Sequence, residues 1–167
     1  MKLYDSLQNS PIFQGLTSDN LLQIIGQTKF TFRKIAAGDT IKDEGEKCNR
    51  LALVTSGQAK SIAHADDRSY TFEENVAAPY MLQPECVFGL HTHYTRTFIA
   101  TKTCDTVEID KNDLMRISDE FIIFRMNLIN YQDDTTGTRD GNGQTCRVGS
   151  TQCNARRKPA NIQPRDN

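Results

Sequence analysis

The chain has 167 residues, enough for one core-bearing domain with room for a small second one. A net charge of −1, 25% charged and 37% hydrophobic residues fit a soluble globular chain and mark no strongly charged partner. No apolar run approaches the ~20 residues of a membrane helix, and the start, Met1-Lys-Leu-Tyr-Asp-Ser6, is no signal segment, so the expected setting is cytoplasmic, without a membrane partner.

The first predicted element is a helix. Thr17 or Ser18 caps it, and Leu21, Leu22, Ile24 and Ile25 recur at helical spacing before Gly26. Lys29 to Ile35 alternates and predicts a strand. Then Gly38, Gly45 and Gly57 punctuate short stretches that hold Ile41, Leu51 and Val54. Glycine reaches positive φ without steric cost, so these positions read as turns and corners. The pattern predicts strands over 39–43 and 50–55, a turn over 44–49, and a corner at Ser56-Gly57 into a strand over 58–64. Residues 65–68 predict a hairpin tip before a strand over 69–73. Further strands fall at 78–83, closed by Pro84, then at 97–102 and 106–110. A chain that turns corners this often builds a small barrel or double-sheet roll. The expected fold class is therefore mainly β with flanking helices, a jelly-roll-like β-roll.

Lys111 to Ile117 predicts a short helix, and Ser118 or Asp119 caps a longer one to Tyr131. Phe121, Phe124, Leu128 and Tyr131 make one apolar stripe, and Ile122, Met126 and Ile129 broaden it to a second side. A helix apolar on two sides has two partners. One is its own barrel; the other is the same helix of a second copy, with the four-residue stripe as the expected dimer contact. From Gln132 to Asn167 there is no Leu or Phe, and only six residues are Val, Ile, Ala or Cys. Such a segment cannot bury enough surface to offset its ordering entropy. The organisation read from the sequence is a roll over 1–117, a helix over 118–131, and a disordered or out-of-frame tail over 132–167.

The glycine framework from Gly38 to Gly57, preceded by Ser10-Pro-Ile-Phe-Gln-Gly-Leu16, resembles a cyclic-nucleotide-binding domain. Within that superfamily it is most similar to the sensor domain of CRP/FNR-type transcription regulators, over about Ser10 to Tyr131. The resemblance implies a ligand-sensing, non-enzymatic regulatory domain that dimerises through the helix over 119–131. It also implies a winged helix-turn-helix domain after Tyr131. The tail lacks the apolar periodicity for one, so DNA contact is expected only of a longer parent chain.

In that family the ligand site is a cassette of Phe-Gly-Glu, a short helix, and Arg-Ser/Thr-Ala. Helix N–H groups and the Arg neutralise the cyclic phosphate, and the Glu accepts from the ribose hydroxyl. Here Phe88-Gly89 is followed by Leu90 in place of the acid, and Arg96-Thr97 follows too soon for the helix. Counting back from Val107-Glu108-Ile109-Asp110 places Tyr94 at the phosphate-binding position. Both departures predict a degenerate site that does not hold a cyclic nucleotide. His91, His93, Tyr94 and Arg96 still cluster where a ligand would enter, so an unidentified small ligand, or an anion, is the expected partner.

No enzyme motif is present: no GxSxG, P-loop, HExxH or dinucleotide fingerprint. The five cysteines, Cys48, Cys86, Cys104, Cys146 and Cys153, lack metal-type spacing, and none precedes Cys48 as an N-terminal iron–sulfur group would require. His91 and His93 alone are a weak metal pair, and a cupin-like enzyme would need about three converging histidines and a carboxylate. No metal or cofactor is therefore expected. The alternative reading is a stand-alone small-ligand-binding β-roll with no role at DNA.

Overall fold

The structure, a computed structural model, describes residues 3–64 and 71–135. The expected hairpin tip at 65–68 and residues 136–167 of the expected tail, with Cys146 and Cys153, lie outside the described residues, while 132–135 at the start of that tail are helical instead.

The chain opens with a helical lead: α1 (Leu3–Gln8), a 3-10 turn (Pro11–Phe13) and α2 (Ser18–Gln27). Thr17 caps α2 by accepting the Asn20 N–H at 3.3 Å, and Leu21 and Ile24 turn inward. Eight strands follow: β1 (Phe30–Ile35), β2 (Thr40–Lys42), β3 (Arg50–Ser56), β4 (Gln58–His64), β5 (Thr71–Ala77), β6 (Tyr80–Leu82), β7 (Thr97–Ala100) and β8 (Cys104–Asp110). A four-residue helix, α3 (Glu85–Phe88), interrupts them between β6 and β7.

The strands form two antiparallel sheets, β1-β8-β3-β6 and β2-β7-β4-β5. Every connection but the β4–β5 hairpin passes from one sheet to the other, which makes the structure a roll. That topology is why the sequence between strands is so rich in corners. At Gly57 the chain leaves β3 for β4 with φ +95°. A Cβ there would collide with the Thr103 carbonyl and lie 2.8 Å from the Cys104 thiol. The corner therefore needs glycine for its backbone angle and for its space.

Inward side chains of both sheets and the helical lead share one core, including Leu51, Leu53, Met81, Phe98, Val107 and Ile109. Each such side chain contributes roughly 1.5–3 kcal/mol on burial.

The C-terminal helices differ from the expectation. One helix, α4 (Lys111–Glu120), runs through the proposed 117/118 boundary, and a second, α5 (Ile122–Thr135), begins after a break at Phe121. Asp110 caps α4 through the Asn112 N–H at 3.0 Å, so the helix starts at Lys111 as expected but runs on through the expected Ser118 or Asp119 cap. Phe121 is extended, with φ −118° and ψ 99°, and its own side chain is buried.

The stripe expected as the dimer contact is instead the inner face. Phe124 is fully buried and meets the Phe13 ring at 5.3 Å, and Leu128 is 5% exposed. Asn127 donates to the Ile12 and Gln14 carbonyls at 3.2 and 2.7 Å. Tyr131 accepts the Met81 N–H on its hydroxyl at 3.1 Å. The reason is geometric. The 3-10 turn and β6 both present partners to that side, so α5 is spent there on its own chain. The outer face carries Ile122, Met126 and Ile129, which are 63%, 51% and 47% exposed.

Substituting Gly57→Ala is expected to destabilise the fold by about 3 kcal/mol, from backbone strain plus steric collision. Urea unfolding followed by circular dichroism measures it. A Gly38→Ala control, where no atom lies within 4 Å of the added carbon, should lose less.

Candidate functional site

The site is built where the segment before β7 runs back over the turn between β2 and β3. The Tyr94 N–H donates to the Glu46 carbonyl at 2.9 Å, and the Gly45 N–H donates to the Tyr94 carbonyl at 2.7 Å. The Cys48 N–H donates to the Thr92 carbonyl at 2.7 Å, and Lys47 bridges His93. In extended chain successive side chains point to opposite faces. His91 and His93 therefore stay exposed, while Tyr94 turns into the roll and is 2% exposed.

Gln83 ties this segment to α3. It holds φ +38°, a left-handed backbone rare for a residue with a side chain. Its carboxamide accepts the Thr95 N–H at 3.0 Å and donates to the Thr95 hydroxyl at 2.7 Å. It also reaches the Glu85 Oε1 at 3.3 Å. A strained backbone of this kind costs about 1–3 kcal/mol and persists only where its surroundings over-determine it. Here three hydrogen bonds do so.

Three polar atoms are then left buried without a hydrogen-bond partner among the described residues: Ser61 Oγ, Glu85 Oε2 and Tyr94 Oη. Their elements are neighbours. Ser61 on β4 sits opposite Phe98 on β7, both buried, and the Phe98 and Tyr94 rings meet edge-on at 6.5 Å. The Cys48 thiol lies beside the Tyr94 hydroxyl, close enough to share a hydrogen bond with it, and donates to the Arg50 carbonyl at 3.6 Å. Burial pushes the Tyr94 phenol well above its ordinary pKa, so it stays a hydroxyl donor. Burial likewise pushes the Cys86 thiol up to about 12, with the Glu85 charge adding to it, and raises Cys48. These thiols are protonated and inert near neutral pH.

One cation approaches the site. The Lys42 ammonium lies 5.9 Å from the Tyr94 ring centre. It donates to Glu46 at 2.9 Å and pairs with Glu108 at 3.2 Å. Burial works against its charge, but the two carboxylates outweigh burial and hold its pKa above the ordinary lysine value. Glu108 in turn lies 3.7 Å from both Arg33 and Arg50.

Of the residues read from the sequence as the cassette, Tyr94 alone is buried at this site. Leu90 is 100% exposed and Phe88 lies at the surface under the Lys111 ammonium. Gly89 closes α3 by donating to the Glu85 carbonyl at 2.8 Å. Arg96 turns to Glu74 at 3.5 Å, and the Thr97 hydroxyl accepts the Glu44 N–H at 3.1 Å. The helix thus ends at Phe88 instead of following Gly89, and the acid it carries is Glu85, while Leu90 is exposed. Sequence reading missed Glu85, Ser61 and Gln83. The available signal was Pro84-Glu85 opening a short apolar run, with the same backward count that placed Tyr94. Among the described residues no group of three or more His, Cys, Asp or Glu side chains is arranged to hold a metal.

The buried, unpaired Tyr94 hydroxyl is a cost to the ligand-free fold. Tyr94→Phe is expected to raise its stability by about 1 kcal/mol, measured by urea unfolding. A loss of similar size would mean that the hydroxyl is satisfied.

No family model and no curated protein matches this chain. Solved structures do. The catabolite activator protein of Thermus thermophilus is 16% identical, with a TM-score of 0.62, over 72% of this chain and 55% of that one. This chain therefore spans little more than half of that protein's length. The sensor domain of the transcriptional regulator DNR from Pseudomonas aeruginosa is 14% identical, with a TM-score of 0.63, over 77% of this chain and 85% of that one. The regulatory domain of Toxoplasma gondii PKA with cAMP is 20% identical, with a TM-score of 0.55, over 69% and 42%. Together with the two antiparallel sheets and flanking helices, these likenesses establish that the chain shares the two-sheet β-roll fold of these sensor and regulatory domains.

Proposed function

We propose that this chain is a non-catalytic, ligand-sensing regulatory domain of the CRP/FNR type. The observation that carries the reading is the set of unpaired buried atoms on Ser61, Glu85 and Tyr94. Native folds leave few such groups, because each costs about 1–3 kcal/mol. A small molecule that reached any of these atoms would recover part of that cost. The site does not hold a cyclic nucleotide, since Tyr94 stands where the family carries its phosphate-binding arginine. Any role at DNA belongs to a longer parent chain that carries a reading helix.

The outer face of α5 completes the reading. Ile122, Met126 and Ile129 follow the i, i+4, i+7 spacing of a helix seam and are about half exposed or more. The inner face reaches β6 through Tyr131, directly before Gln83 and α3. A dimer formed on the outer face would therefore be mechanically joined to the ligand site. No helix among the described residues is long and apolar enough to cross a membrane.

Two experiments test this. A small-metabolite library screened by thermal melting should contain compounds that raise Tm in the chain and not in Ser61→Val. Saturation at a hundredfold excess over Kd is worth about 2.7 kcal/mol, or several degrees. A library that moves neither protein overturns the sensing role. For the dimer, Met126→Glu should give a monomer of unchanged stability by light scattering and urea unfolding. Leu128→Glu should instead cost about 3 kcal/mol or more, because it buries an unpaired carboxylate. Equal mass for the chain and Met126→Glu would reject the seam.

A further inference from the structure

We infer that the turn over 43–49 and the segment over 89–95 form one flap that opens as a unit, and that the Gln83 side chain is the latch that holds it shut against the roll.

The two segments are zipped to each other. The Tyr94 N–H donates to the Glu46 carbonyl, the Gly45 N–H to the Tyr94 carbonyl, and the Cys48 N–H to the Thr92 carbonyl. Lys47 and His93 add a bridge. A flap that moves as a unit keeps all of these bonds. Within the two segments only Cys48 and Tyr94 are buried, and their side chains lie beside each other. Leu90 is fully exposed. Two inserted side chains are thus the whole apolar attachment of the flap to the core, and elements with few buried contacts open at low cost.

The remaining ties are polar. The Gln83 carboxamide accepts the Thr95 N–H at 3.0 Å and donates to the Thr95 hydroxyl at 2.7 Å. Gln83 is itself buried and leads into α3, where Cys86 and Val87 are buried, so the latch stands on a fixed base. On the other segment the Lys42 ammonium donates to Glu46 at 2.9 Å, and the Glu44 N–H donates to the Thr97 hydroxyl at 3.1 Å. Gln83 pays for its position with φ +38°, where glycine would sit without strain. What offsets that strain is the pair of bonds across to Thr95, and these act on the flap alone.

Opening withdraws Tyr94 and uncovers the Cys48 thiol while both sheets stay folded. Cys104 stays covered, because its thiol donates to the Gln58 and Lys102 carbonyls at the crossing between the sheets. The device belongs to the ligand-free chain, so it stands or falls separately from the sensing role.

Thiol labelling tests it on the full chain carrying Cys146→Ser and Cys153→Ser. Iodoacetamide is the probe, and peptide mass spectrometry resolves the sites. Below the unfolding transition Cys48 should label at a rate nearly independent of urea, because local opening exposes little surface. Cys104 should follow the steep urea dependence of global unfolding. Gln83→Gly removes the latch and the strain together. It should speed Cys48 labelling roughly tenfold and leave the urea midpoint and the Cys104 rate unchanged. Gln83→Asn tolerates the same backbone but is too short to reach Thr95, and it gives the same contrast if Gln83→Gly does not fold. Cys48 labelling with the urea dependence of Cys104 overturns the flap. An unchanged Cys48 rate in the Gln83 variants, or equal acceleration of both thiols, overturns the latch.

Discussion

The contact between the Gly57 corner and the start of β8 holds this fold together. At Gly57 the chain passes from the first sheet to the second, and at 101–103 it passes back. The two crossings touch. The Thr101 and Lys102 N–H groups donate to the Gln58 carbonyl at 2.8 and 3.1 Å, and the Cys104 thiol donates to the same oxygen at 3.2 Å. Only a residue without a side chain lets the backbones approach this closely. Because β8 lies between β1 and β3, and β4 lies between β7 and β5, this point sets the register of the central strand of each sheet. A slip of one residue would send every inward side chain to solvent.

From that frame the polar interior follows. Tyr94 and Phe98 point inward from one strand and its approach, and β4 sets Ser61 against Phe98. Lys42 then reaches from β2 in one sheet to Glu108 on β8 in the other. Burying such a pair costs desolvation that its attraction only partly offsets. Its value here is positional: it binds the two sheets at the end of the roll where the candidate site lies. It also occupies the Lys42 ammonium that lies over the Tyr94 ring.

The helix α5 shows how one amphipathic element serves two surfaces. Its inner side is fixed by Phe124 on the 3-10 turn, by Asn127 on two carbonyls, and by Tyr131 on β6. Three different kinds of contact leave it little freedom to roll. The apolar outer side is thus held in a constant orientation. An exposed row of Ile and Met on a rigid helix is the kind of surface that soluble proteins seldom leave uncovered.

The sequence alone determined most of the strand segments, the corners and the fold class, but not the order of strands within each sheet. Glycine at Gly38, Gly45 and Gly57 acts locally, through φ, and alternation along Lys29–Ile35 acts locally, through the pleat. Such signals are carried by a residue and its neighbours, so they can be read without the rest of the chain. Tyr94 was legible only through the family resemblance, by counting back from Val107–Asp110 to the cassette. The rest was decided only in three dimensions. A helix as short as α3 has no period to read, so the acid was sought after Phe88-Gly89 and not before it. Two apolar stripes on α5 look alike in sequence; the positions of Phe13, Ile12 and Met81, brought from distant segments, decide which is inner. Charge shows the same limit. Arg96 reads as an available cation, and only folding places Glu74 beside it. Local backbone chemistry fixed the frame, and long-range pairing determined which side chains were left free at its centre.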